Sequence, residues 1–244
     1  MRIFFFESVG STNDEVGRLL NGGTEPVFAV VAARQTNGRG CRGNQWISRW
    51  MGNVYCSVAL PSEIFSTQSP AMFSQTFILS FLERMEPAIH LNVKWPNDVF
   101  IDGKKVGGVL LEASFSGNVL KRAVLGVGIN VVSAPGREAP LETAYEAAAL
   151  QTYCPSLSLS SVLMEVIQAV EDGINLYKNG AQCEFIANNW KKFDMLHHRQ
   201  VDVRFNGATF SGKILGVDSD GRLILRLNAG KRMFFESAEA KIIL

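Results

Sequence analysis

The sequence predicts an α+β protein in two parts, a larger portion of interspersed strands and helices followed by a small C-terminal β-barrel. Hydrophobic residues make up 47% of the 244 residues, enough apolar surface to bury a sizeable core. Up to Phe193, short β-branched runs alternate with segments of helical spacing. After His197 the texture changes: Val201-Asp202-Val203-Arg204-Phe205 alternates with period two, and Asn206-Gly207, Asp220-Gly221 and Ala229-Gly230 punctuate short strands. The boundary falls there, dividing residues 1–196 from residues 197–244.

Ile3 to Phe6 reads as a short strand. Thr12-Asn13-Asp14-Glu15 has the form of a capping box, a Thr cap with Glu three residues on. Val16, Leu19 and Leu20 follow at helical spacing until Gly22-Gly23 stops the helix. Val27 to Ala33 is apolar throughout and reads as a buried strand. Gly38 to Gly43 is a glycine-rich loop, and Val54 to Leu60 is the next strand. Pro70 to Met85 has helical length, with Phe73, Phe77, Phe81 and Leu82 along it. His90 to Lys94 is a strand broken by Trp95-Pro96-Asn97-Asp98; Val99-Phe100-Ile101 resumes it up to the turn Asp102-Gly103. Val106 to Leu111 and Val119 to Val132 are two further strands, with a turn near Ser116-Gly117-Asn118. A short helix is expected near Leu141 to Leu150, then helices over Ser160 to Lys178 and Cys183 to Phe193. Leu223 to Leu227 is a strand of the C-terminal part.

Charge and cysteine usage narrow the function classes. Lys and Arg number 24 against 23 Asp and Glu, a net charge of +1. That balance lacks the clustered basic surface that phosphate backbones need, so no nucleic-acid partner is expected. The longest apolar runs are about seven residues, where a membrane span needs about twenty, so no membrane partner is expected. The apolar start Met1 to Phe6 breaks at Glu7, too short for a signal-peptide core. Cys41, Cys56, Cys154 and Cys183 form no C-x-x-C, and the adjacent His197-His198 cannot easily face one metal. A zinc site or disulfide framework is disfavoured, and the chain reads as a reduced, cytoplasmic globular protein.

Five segments carry candidate chemistry. Ser11-Thr12-Asn13 places polar groups at a helix N-terminus, apt for neutral ligand atoms or for plain capping. Gly38-Arg39-Gly40-Cys41-Arg42-Gly43 fits G-x-G-x-x-G, but the residues that follow do not open a helix, as a dinucleotide site requires. It reads equally as a mobile loop wrapping a ligand, with Arg39 and Arg42 as fixed charges, or as a surface hairpin with solvated arginines. Arginines beside Cys41 would favour its thiolate. Lys94-Trp95-Pro96-Asn97-Asp98 presents Asn97 and Asp98 at a strand end, where they could serve a phosphate and Mg²⁺ or form an Asx-turn. Lys105 precedes Gly107-Gly108 and a buried strand, where a lysine can act as a point charge for a carboxylate or phosphate. Gly126 and Gly128 sit inside a strand, which marks a close approach or a bulge.

In this order and spacing, together with Gln35, Trp46 and Asn130, the segments resemble the biotin protein ligase family over nearly the whole chain. Lys94 to Asp98 joined to Lys105-Val106-Gly107-Gly108 is the most specific part; lipoate ligases and octanoyltransferases share the core fold without that block. The resemblance implies a mixed β-sheet with flanking helices, like a class II synthetase core, and an SH3-like barrel at the C-terminus. It implies ATP- and Mg²⁺-dependent activation of biotin to biotinyl-5′-AMP, then transfer to one lysine of a biotin carboxyl carrier protein or domain. Ser11, Thr12, Asn13 and Gln35 should surround the ureido ring, and Gly38, Arg39, Gly40, Cys41, Lys105 and Gly108 should complete the biotin site. Arg42, Trp46, Lys94, Asn97 and Asn130 should face the adenylate, and Asp98 the metal; Lys105 and Arg39 are the catalytic candidates. Cys41 and Asn44 stand where bacterial members often carry arginine, and at Cys41 this removes a charge that retains the adenylate. The ligand motif begins at Ser11, which implies the monofunctional type without a DNA-binding domain, and a homodimer is compatible with it. A degenerate biotin-sequestering module and a lipoyl or octanoyl transferase are the competing readings. The first is disfavoured by Arg39, Asp98 and Lys105, and the second by the Lys94 to Asp98 block.

Overall fold

The computed structural model describes residues 1–66, 69–135, 145–237 and 240–243. Its larger sheet has seven strands in the order β1-β2-β3-β7-β6-β5-β4. Strand β1 (Arg2–Val9) runs parallel to β2 (Phe28–Gln35), and helix α1 (Thr12–Asn21) is the crossover between them. All other neighbours are antiparallel: β3 (Val54–Leu60), β4 (Asn92–Lys94), β5 (Asp98–Ile101), β6 (Lys104–Ser116) and β7 (Val119–Ile129). The fold is therefore mixed α+β.

Around β2, β3 and β7 both faces of this sheet are covered, which explains their apolar runs. On one face Val16 of α1 packs against Phe28, Val30, Ala59 and Val124. On the other, Ala29, Cys56 and Val58 join the main core with α2 (Phe73–Met85), α3 (Leu159–Lys178) and α4 (Gln182–Phe193). Alternate residues of β2 thus serve opposite faces, as a strand's period of two requires.

The C-terminal sheet contains β8 (Gln200–Phe205), β9 (Ala208–Val217), β10 (Leu223–Leu227), β11 (Arg232–Phe235) and β12 (Lys241–Ile243), in the order β11-β10-β9-β8-β12. The expected barrel is seen as an antiparallel sheet; among the described residues β11 and β12 do not pair to close it. Asn206 and Gly207 have φ of 49° and 77°, the two positive values of a tight hairpin turn. The sheet docks through the carbonyl of Gly221, which accepts from Trp95 Nε1 at 3.0 Å and Gln75 Nε2 at 2.8 Å.

Three expectations are corrected. The capping box does not form: Ser11 is the N-cap, without a side-chain capping bond, and Thr12 is already helical. The Thr12 hydroxyl is engaged elsewhere, and Glu15 pairs with Arg18 at 2.6 Å. Pro70–Met72 forms a 3-10 turn ahead of α2 rather than its first α-helical turn. The helix expected near Leu141 to Leu150 falls partly on 141–144, outside the described residues. Its described part is irregular, followed by a 3-10 turn at Leu150–Thr152.

Candidate functional site

The site grows from the start of α1, where the crossover from β1 turns its first residues toward the sheet. Ser11, Thr12 and Asn13 are all buried. Gln35, the last residue of β2, accepts from the Thr12 amide at 2.8 Å and the Thr12 hydroxyl at 3.1 Å through Oε1. Its Nε2 donates to Ser48 Oγ at 2.9 Å. Ser57, fully buried on β3, shares its one hydroxyl proton between Thr12 Oγ1, at 2.6 Å, and Asn13 Oδ1. Asn13 Nδ2 donates to Glu112 Oε2 on β6 at 2.8 Å. Such a buried network, with its members satisfied by one another, holds each polar atom in one orientation.

The glycine-rich loop follows β2 and is not the start of a helix. Cys41–Gly43 is a single 3-10 turn, and Arg39 bridges Gln45 across a narrow antiparallel neck. Within that neck the Gly40 amide donates to Asn44 O at 2.7 Å and the Trp46 amide to Gly38 O at 3.0 Å. The dinucleotide geometry is absent here. Neither arginine is merely solvated. Arg39 is pinned between Glu112, at 3.1 and 3.2 Å, and Asp14, at 2.7 Å. The hydrogen bonds it donates to Asp14 and Glu112 hold its pKa above the ordinary arginine value. Arg42, in the left-handed region at φ 58°, turns away to donate to the backbone carbonyls of Ser237 and Ala240.

A second polar group lies beside the first. In the β4–β5 hairpin Asp98 pairs with Lys94, and Asp98 is also opposite Gly108 of β6. Lys105 Nζ reaches Asp98 Oδ1 at 2.6 Å and lies 5.6 Å from the Trp46 ring centroid. Lys94 places its ammonium 5.2 Å from the Tyr145 ring centroid, and burial lowers its pKa despite Asp98. Asn97 Nδ2 donates to Cys41 Sγ at 2.8 Å and to Val109 O. Burial pushes the Cys41 thiol above its usual range, so the thiolate its arginine neighbours suggested is not favoured. Asn130 is buried, with Nδ2 on Ala148 O at 3.2 Å and its amide on Val106 O at 2.8 Å.

The two groups share one face of β7. A Cβ on Gly126 would stand 2.6 Å from Asn13 Oδ1, and one on Gly128 would stand 2.5 Å from the Trp46 ring. The β6–β7 register is unbroken at both glycines, so they make room for side chains rather than for a bulge. Thr12, Asn13, Gln35 and Arg39 come together, as do Cys41, Trp46, Asn97, Asp98, Lys105 and Gly108. Arg42 instead faces the C-terminal sheet, and Asn130 packs behind the edge of β6. Ser48, Ser57, Asp14 and Glu112 complete the first group without having been marked by the sequence. Among the described residues no cluster of three or more His, Cys, Asp or Glu is placed to hold a metal.

Residues 5–130 match the Biotin/lipoate A/B protein ligase family, and residues 198–239 match the Biotin protein ligase C terminal domain. The chain is 29% identical over 234 residues to the biotin--[acetyl-CoA-carboxylase] ligase of Paracoccus denitrificans, covering 91% of this chain and 93% of that protein. It is 26% identical over 238 residues to the bifunctional ligase/repressor BirA of Bacillus subtilis, covering 96% of this chain and 72% of that protein. A structure of a biotin protein ligase from Aquifex aeolicus in complex with biotin and ATP superposes with a TM-score of 0.82 at 27% identity, covering 99% of this chain and 98% of the other.

Proposed function

The chain belongs to the biotin/lipoate A/B protein ligase family, with the C-terminal domain of its biotin protein ligases, and from that premise we propose that it joins biotin, through biotinyl-5′-AMP, to one lysine of a biotin carboxyl carrier domain. The observation that carries this reading is the shared face of β7, where the Thr12–Asn13–Gln35 network adjoins the Lys105–Asp98 pair. Neutral side chains held in fixed orientation, whose hydroxyl and amide oxygens keep spare lone pairs, suit the ureido ring of biotin. A lysine with one carboxylate partner suits the charge that develops at phosphorus.

In the first step a carboxylate oxygen of biotin attacks the α-phosphorus of ATP, the bond to the bridging oxygen of the β-phosphate breaks, and pyrophosphate leaves. Lys105 neutralises the charge gathering on the α-phosphate, and Arg39 orients the carboxylate; such pre-placed charges are a main source of rate enhancement. In the second step the carrier's lysine amine attacks the acyl carbon, AMP leaves, and the amine proton passes to solvent. Positioning supplies the remainder; in this reading Ser11, Gly38, Gly40, Cys41 and Gly108 serve the acyl side and Trp46, Lys94 and Asn97 the nucleotide side, while Arg42, bonded to Ser237 and Ala240, and the buried Asn130 would have to turn from their present partners to join them. Mg²⁺ characteristically keeps its waters and binds through one or two carboxylates plus substrate phosphates. The donor set here, Asp98 with one oxygen already on Lys105, fits a Mg²⁺ that arrives with the nucleotide and lowers the charge of its phosphates. Residues 1–196 form the catalytic unit of this reading and residues 197–244 an SH3-like module.

Incubating a carrier domain with the protein, biotin and Mg·ATP tests the reading by mass spectrometry. One biotinyl group gained on one lysine is expected, with biotin-dependent pyrophosphate release. Lipoate or octanoate transferred in preference to biotin would overturn the substrate. No mass gain and no pyrophosphate would overturn the reaction.

A further inference from the structure

We propose that Glu112 is the positioning residue of Arg39, presenting its guanidinium in one orientation to the acyl carboxylate. The inference rests on the reaction proposed above, which brings that carboxylate to Arg39. Arg39 leaves a loop held by a narrow neck, and a long side chain on such a loop would spread over many rotamers. Glu112 stands on β6, a continuous strand of the sheet. Arg39 Nε and Nη2 meet Glu112 Oε1 and Oε2 at 3.2 and 3.1 Å, a side-on fork that fixes the plane of the guanidinium.

Glu112 is itself held. Oε2 also accepts from Asn13 Nδ2 at 2.8 Å, and Asn13 is seated by Ser57 and by the missing side chain at Gly126. Orientation therefore passes from the buried Ser57 through Asn13 and Glu112 to Arg39. A guanidinium has five N–H donors. Glu112 uses two and Asp14 a third, which leaves one on each terminal nitrogen for a ligand. Asp14 adds a single bond at 2.7 Å; one bond leaves the guanidinium free to turn about it, whereas the two bonds to Glu112 set its plane. A cleft of about 680 Å³, lined by Asn13, Asp14, Arg39, Glu112 and Arg122 among others, opens beside the fork.

The test is a double-mutant cycle on single-turnover adenylation, with Glu112→Gln, Arg39→Ala and the double variant. Gln keeps the shape but cannot accept both bonds of the fork. A misplaced reacting group costs on the order of a hundredfold, so Glu112→Gln should slow adenylation by about ten- to a hundredfold. In the Arg39→Ala background the same change should do nothing further. Arg39→Lys, a loop substitution that leaves the Glu112–Asn13 contact in place, keeps the charge and loses the fork; it should match Glu112→Gln. Adenylation at the natural rate by Glu112→Gln or Arg39→Lys would overturn the proposal, as would an undiminished effect of Glu112→Gln without Arg39. A natural protein that makes no biotinyl-5′-AMP would instead overturn the reaction itself.

Discussion

Replacing Lys105 with Ala tests the proposed charge at the reacting phosphate. Lys105 and Asp98 are each about a quarter exposed, and their contact is 2.6 Å. A pair this accessible contributes about 1 kcal/mol to folding, so the variant should fold with only a small loss of melting temperature. The loss of activity should be much larger. Removing one pre-placed charge or donor from a reacting centre costs about 3 to 4 kcal/mol, or 10²- to 10³-fold in rate. Lys94 is badly placed to compensate, because its ammonium lies against the Tyr145 ring. Asp98, left without Lys105, adds a like charge beside the incoming phosphates. The assay is biotin-dependent pyrophosphate release, read beside a thermal melt. Near-normal release by a folded variant would refute the role of Lys105, and an unfolded variant would refute the estimate of its structural contribution.

Cys41→Arg should slow the escape of biotinyl-5′-AMP by about ten- to a hundredfold, since a charge-assisted contact contributes about 1.5 to 3 kcal/mol. Arg42 is tied to Ser237 and Ala240 and does not already fill that role; equal release of labelled adenylate from both proteins would show that the backbone holds it. Gly126→Ala puts a Cβ 2.6 Å from Asn13 Oδ1, an overpacking of about 1 to 3 kcal/mol, and should weaken biotin binding by calorimetry; unchanged affinity would count against Asn13 as a ligand residue. Asp194 has Oδ2 buried without a partner, and burial pushes its pKa up to about 6. Its folded-state pKa is raised, so it favours the fold at low pH and opposes it as pH rises from about 4 through 6. Asp194→Asn should therefore raise stability at pH 7 by about 2 to 3 kcal/mol, with the gain vanishing near pH 4 in chemical denaturation; a gain independent of pH would sink the assignment.

Elements with a strong local period were legible in the sequence: β3 spans Val54–Leu60, and the helices after Leu159 are displaced from their expected starts by one residue. What failed were choices that tertiary contacts decide. Thr12-Asn13-Asp14-Glu15 has the spacing of a cap, yet the Thr12 hydroxyl turns to Gln35 and Ser57 because both stand where the buried sheet lacks other partners. The closure of the C-terminal strands depends on pairing between distant segments, which no local pattern encodes. The same holds for the site. Glycine, proline and lysine marked Gly38, Pro96 and Lys105 because their backbone or charge is unusual where they stand. Glu112 and Ser57 carry no such mark: one is a polar residue within β6, the other a small residue in an apolar strand. Only the β6–β7 and β3–β7 registers bring them to Asn13.

Trp95 shows why the block around it is so compact in sequence. Its indole is 1% exposed and belongs to the main core, while its Nε1 donates to Gly221 O in the C-terminal sheet. The neighbours Lys94, Asn97 and Asp98 face the candidate site. One short turn therefore anchors the C-terminal sheet on one side and presents polar groups on the other. Arg42 makes the reverse connection, from the glycine-rich loop to Ser237 and Ala240. The C-terminal sheet is thus bonded to both segments that flank the Lys105–Asp98 pair.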